Sequence, residues 1–204
     1  MTYIATVGKG AYNHTFGGAT WTISSPARGT PAPALLLTLD LRAPLLGGSH
    51  DEGVVPLCSR VDVVSLARQR YRFDARTGTV QFLGEPWESE LDPEDLPSTP
   101  FPEVPLRLRP AMGRETLASP GCDAQDTFLG EDSFVRVGGE PLWVDEPERA
   151  RCACGVAMDY VACVGYEGEA GRLGGDEPFF LGELALYFFR CRRCAIVEVI
   201  AQAT

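Results

Sequence analysis

Apolar positions along the chain fall in short alternating or continuous runs, not at the three-to-four-residue spacing of an amphipathic helix. These runs predict strands. Ala19–Ser24 (ATWTIS) and Ala34–Leu41 (ALLLTLDL) are rich in β-formers, and the Gly, Ser and Pro residues between them read as a connecting loop. Val61–Leu66 is a further candidate strand. Tyr71–Asp74 and Thr79–Leu83 flank Ala75-Arg76-Thr77-Gly78, a hairpin turn in which Gly78 accepts a positive φ. Strand signals return at Phe134–Val137 and Val156–Val164. In the latter, strict alternation puts Val156, Met158, Tyr160, Ala162 and Val164 on one face and Ala157, Asp159, Val161 and Cys163 on the other. Leu184–Arg190 and Ala195–Ala201 complete the set, their β-branched and aromatic content favouring sheet. Any helix between residues 113 and 133 is short. The expected fold is mainly β (α+β with few short helices).

The pattern breaks once. Residues 84–105 (GEPWESELDPEDLPSTPFPEVP) carry seven acids, no Lys or Arg, and repeated prolines that remove backbone donors and fix φ. This reads as an exposed acidic loop connecting two parts of the molecule. A weak internal echo supports that division. Gly17-Gly18 precedes Trp21, and Gly138-Gly139 precedes Trp143, as if each half opened on a glycine turn and an aromatic anchor. The expected organisation is one two-lobed domain over 1–204. A β lobe at about 1–105 ends in the acidic loop, and a second lobe spans 106–204.

Composition narrows the functions. A formal net charge of −10 argues against a nucleic-acid surface, which needs clustered cations; Lys9 is the single lysine. An acidic surface favours solubility and basic partners. No stretch approaches the roughly 20 apolar residues that span a bilayer, and the N-terminal residues lack the apolar core of a signal peptide. The expected location is the cytoplasm, with no membrane partner. The only histidines, His14 and His50, lie in polar, Gly-containing segments. Neither a G-x-S-x-G elbow nor a P-loop occurs, and Gly8-Lys9-Gly10 lacks the P-loop spacing. The expectation is a protein that is not an enzyme.

The strongest chemical signal is Cys152-x-Cys154, then 36 residues, then Cys191-x-x-Cys194. Four soft thiolates in two close pairs suit a closed tetrahedral zinc site that staples distant chain segments. A reducing compartment fits that usage better than a disulfide framework. Two sharper alternatives exist. Catalytic zinc usually needs an open position and a His or carboxylate ligand, and a redox C-x-x-C does not need the second pair. Arg190, Arg192 and Arg193 offset part of the charge of a tetrathiolate. Cys58, Cys122 and Cys163 read as buried or incidental thiols.

At Val137–Cys194 the chain resembles the programmed cell death protein 2 family, and it is similar to the bacterial YwqG-like family. The resemblance rests on VGGEPLWVDEP, CACGVAMDYVACV and ALYFFRCRRC. It implies a β-rich two-lobed fold, no established enzymatic activity, and metal ligation by Cys152, Cys154, Cys191 and Cys194. It also implies a binding role. Bacterial relatives are predicted as immunity proteins of toxin loci, and eukaryotic ones act as chaperones for a ribosomal protein. The expected function is therefore a cytosolic immunity protein that neutralises a cognate toxin, the alternative being a chaperone for a basic client. Two departures stand out. Ala162 and Cys163 replace the Gln that usually ends the first apolar strand, and Gly182-Glu183 stand where a His-Arg pair is usual. Glu88, Glu90, Asp92, Glu94 and Asp95 form the expected contact with the partner.

Overall fold

A computed structural model describes residues 1–25, 33–46, 53–61, 66–85, 91–116, 129–130, 134–169, 171, 173, 176 and 178–203. The chain is mainly β. Its strands are β1 (Tyr3–Val7), β2 (His14–Phe16), β3 (Thr22–Ser24), β4 (Ala34–Asp40), β5 (Val54–Ser59) and β6 (Gln69–Asp74). They continue as β7 (Thr79–Leu83), β8 (Val104–Pro110), β9 (Val135–Val137), β10 (Asp159–Val164), β11 (Leu184–Cys191) and β12 (Ile196–Ala203). Helix among the described residues is confined to short 3-10 turns, and no helix is long and apolar enough to cross a membrane.

All twelve strands share one sheet, ordered β3-β7-β6-β12-β11-β10-β9-β1-β8-β2-β4-β5. Every pairing is antiparallel except β3 with β7. Strands from both halves of the chain interleave: β1 pairs with β9, and β6 with β12. Residue 105 lies inside β8, which bonds to β1 and β2.

The sheet curls so that its edge strand β5 returns beside β6. Tyr71 of β6 lies against β5, its Oη accepting from Cys58 N–H (3.0 Å) and donating to Pro56 O (2.8 Å). Gln69 Oε1 accepts from Arg60 N–H (2.8 Å) just beyond the same strand. Trp21 reaches across in the same way, its Nε1–H donating to Thr38 Oγ1 of β4 at 3.3 Å. Pro56 is tolerated because β5 is an edge, where a missing N–H leaves no neighbour unsatisfied.

The curled interior holds one core, with Phe16, Leu37, Leu57, Tyr71, Val164, Phe188 and Val199 fully or almost fully buried. A second core covers the outer face of β10–β12. There Trp143, Met158, Cys163, Tyr187, Phe189 and Ile200 pack under the segment 138–158. With both faces covered, β11 (LALYFFRC) reads as a near-continuous apolar run instead of an alternation.

The hairpin at residues 75–78 forms as expected, with Gly78 at φ 66°. Both glycine pairs of the internal echo adopt positive φ, each directly after a three-residue strand. Each anchor tryptophan is buried, Trp21 in the interior core and Trp143 in the outer one. The expected face of 156–164 is corrected. The strand begins at Asp159, and its register shifts between Tyr160 and Ala162. Met158 and Tyr160 therefore join the outer core while Ala162 and Val164 face the interior, since one bulged residue inverts every later side chain. Val156 lies outside the strand and is exposed. Residues 62–65 of the strand expected at Val61–Leu66 lie outside the described residues.

Candidate metal centre

The four cysteines of the paired motifs meet at one end of β10–β12. Their sulfur atoms all lie within 4.8 Å of one another, and Cys154 Sγ stands 3.7 Å from Cys191 Sγ. A regular tetrahedron with metal–sulfur bonds of about 2.3 Å has sulfurs about 3.8 Å apart. The spacing fits a four-coordinate metal after small inward adjustment.

Local backbone geometry presents each pair. Cys152 and Cys154 do not sit on a strand, where they would point the same way along a flat face. They occupy a tight hairpin closed by a bridge between Arg151 and Ala157 and by Cys152 N–H donating to Val156 O (3.0 Å). Gly155 N–H returns to Cys152 O (2.9 Å), and Gly155 takes φ 84°, a conformation open to glycine at no steric cost. That turn is what allows a C-x-C pair to converge. Cys191 ends β11 and Cys194 lies in the turn to β12, with Cys194 N–H donating to Cys191 O (3.3 Å). Ala195 completes the turn at φ 49°. Its carbonyl accepts from Phe73 N–H (3.1 Å), which ties the centre to β6.

Two supports hold the segment 142–146, which leads into the hairpin, over the sheet. Tyr187 Oη accepts from Val144 N–H (2.9 Å) and donates to Leu142 O (2.8 Å). Gln202 accepts from Asp145 N–H (3.0 Å) and donates to Glu146 O (2.9 Å). Closer to the cysteines, Arg68 donates to Arg149 O and Arg70 to Arg151 O, and both pair with the fully buried carboxylate of Glu198. None of these supports was visible in the sequence. Tyr187 lies in a strand expected only to fill a core, and Gln202 lies one residue past the expected end of the last strand.

The thiols are not equivalent. The Val156 N–H directed at Cys154, followed by hydrogen bonds from the neighbouring thiols, brings Cys154 down to about 7. The interactions with Cys154 and Cys152 push Cys194 up to about 12, and burial raises Cys191. One thiolate thus forms readily and opposes the next; a bound cation removes that opposition. No histidine or carboxylate joins the cluster among the described residues. Cys152 and Cys191 are buried, and the other two are half-buried. Arg192 Nε lies 3.0 Å from Asp159 Oδ2 beside the centre. Cys58 and Cys163 are buried, and burial raises both thiols; Cys122 lies outside the described residues.

Of the acidic contact residues, Glu88 and Glu90 lie outside the described residues. Asp92, Glu94 and Asp95 are exposed on the short turn around Pro93–Asp95. Asp95 borders a groove of about 470 Å³ whose wall includes Leu91, Pro97, Leu184 and Phe180, the last 54% exposed. His14 is only 4% exposed, although the chain around it is polar.

Fold and site define a mainly β protein with a tetracysteine cluster able to hold a metal ion. No protein-family model, curated protein or solved structure matches the chain.

Proposed function

We propose that the chain is a non-enzymatic binding protein. In this reading its tetracysteine centre carries a structural zinc ion and its acidic segment receives a basic protein partner. Four thiolates would complete zinc's preferred shell and leave no position for substrate, so the metal's role is to fasten the 150–157 hairpin to the β11–β12 turn. The observation that carries the partner reading is the groove beside Asp95. An exposed Phe180 at the wall of a largely apolar groove, with Asp95 and Glu183 also lining it, pairs an apolar anchor with a charged border. Interfaces gain most of their affinity from such anchors, and their charged rims set association rate. With the resemblance to the programmed cell death protein 2 and YwqG-like families, this supports a cytosolic immunity protein that occludes a cognate toxin.

The test is affinity capture of the tagged protein from its own host, with bound proteins identified by mass spectrometry. Recovery of one stoichiometric toxin-like partner, released by Phe180→Asp, supports the proposal. A ribosomal protein in its place moves the chain to the chaperone class. Capture of nothing basic removes the proposal.

A further inference from the structure

A second site stands apart from the tetracysteine centre. Where the loop after β1 meets the β6–β7 turn, the curled sheet opens into a cleft of about 660 Å³. That volume is within the usual range for small-ligand sites, and barrel mouths are a common place for them. Lys9, Asn13, His14, Trp21, Val54 and Glu103 are among the residues lining it.

His14 gives the cleft its direction. Asp40 N–H donates to His14 Nδ1 at 3.1 Å, which leaves the proton of the neutral ring on Nε2. Among the described residues no protein group accepts from Nε2, and His14 is only 4% exposed at the wall of the cleft. Nε2 is not among the fully buried unpartnered polar atoms, so this N–H is reachable from the cleft, and ring geometry turns it away from the Asp40 N–H. The Asp40 carboxylate is itself occupied by Arg42 (2.7 Å) and by Asn13 N–H (3.4 Å). Lys9 stands exposed at the same opening, with no ion pair among the described residues. Glu103, exposed and lining the same cleft, adds an acceptor. Trp21 and Val54 supply an apolar wall.

We infer that this cleft binds a carboxylate carried next to an amide N–H and an apolar side chain. The acid lies against Lys9 and His14 Nε2–H, the amide against Glu103, and the side chain against Trp21. A free acylamino acid and a peptide C-terminus share this chemistry. A simple anion lacks the amide that Glu103 could accept from.

The experiment titrates the full zinc-loaded protein with N-acetyl-leucine, the tripeptide Gly-Gly-Leu and its C-terminal amide, following the Trp21 indole N–H and His14 ring signals by NMR. Both acids are expected to bind at about 1 mM or tighter, with the amide about tenfold weaker. A tighter tripeptide assigns the peptide source; an equal or tighter N-acetyl-leucine assigns the free acid. His14→Asn keeps an acceptor for Asp40 N–H while deleting the donor in the cleft, and Lys9→Met alters only an exposed side chain. Each is expected to weaken the acids about tenfold with an unchanged backbone spectrum. An amide that binds as well as the acid overturns the inference. So does acid binding insensitive to both variants, or no perturbation by any probe at about 10 mM.

Discussion

Removing the zinc proposed for the tetracysteine centre tests whether that centre fastens the fold or merely decorates it. The metal links Cys152 and Cys154 to Cys191 and Cys194 across 36 intervening residues. Treated as a cross-link closing a loop of that length, it restricts the unfolded chain by about 4 kcal/mol. Thiolate–metal bonding adds to that figure, so it is a floor. For a chain of 150–250 residues each kcal/mol moves the midpoint of thermal unfolding by about 2–4 °C, which gives a fall of about 8–16 °C. Loss is also expected to be uneven. Tyr187 and Gln202 hold residues 142–146 without help from the metal, whereas the hairpin at 150–157 depends on the cysteines and on the Arg68 and Arg70 contacts. The assay is calorimetry with and without a zinc-selective chelator, in a phosphine reductant so that freed thiols cannot pair. Metal content is measured on the same samples, and hydrogen exchange locates the change. A midpoint shift below about 2 °C after verified metal loss refutes the staple. Uniform exchange across all strands refutes the local release.

Three further outcomes follow from the same geometry. In metal-free reduced protein near pH 7.5, a limiting alkylating reagent modifies Cys154 before Cys194, Cys58 or Cys163, because among these Cys154 alone is drawn down, to about 7; peptide mapping reads the order, and equal modification contradicts it. Tyr187→Phe leaves Val144 N–H and Leu142 O unpaired under the outer core and costs about 2–3 kcal/mol in urea unfolding; a loss below about 0.5 kcal/mol means water replaces the hydroxyl. Burial holds the His14 imidazole below its ordinary 6.5, with Asp40 pulling weakly the other way. Its contribution to stability is present above 6.5 and lost as pH falls through the lower native value; ring NMR titration reads this, and a midpoint at or above 6.5 contradicts it.

Much of the sheet was legible because its later strands are unusually apolar. Leu184–Arg190 and Ala195–Ala201 are buried on both faces, so no choice of face was needed to recognise them. The cysteine pairs announced the centre through spacing alone, and the two turns that aim them carry their own signals, Gly155 in one and the short C-x-x-C link in the other. Four strands were missed for a shared reason. β1, β2, β5 and β8 are short, or interrupted by Pro56 and Pro105, and only pairing with distant partners makes them strands. The bulge after Tyr160 carries no glycine or proline to mark it, so alternation was carried past the point where it fails. The cleft at His14 draws its walls from the β1 loop, β4, β5 and the β6–β7 turn, a meeting set by curl of the sheet.

Strand order also imposes a schedule. β6 and β7 precede β12 by about 120 residues, yet β12 covers the flank of β6 that β7 does not. At about 5–20 residues per second of synthesis, that flank waits roughly 6–24 s with its backbone groups unclaimed. That strand carries Arg70 and Arg72, and cations on a bare edge discourage capture by another nascent chain. Glu198 then arrives on β12 opposite Arg70 and takes up that charge when the proper neighbour docks. The arginine that fastens the finished sheet through this ion pair is thus also a charge suited to guarding its unfinished seam.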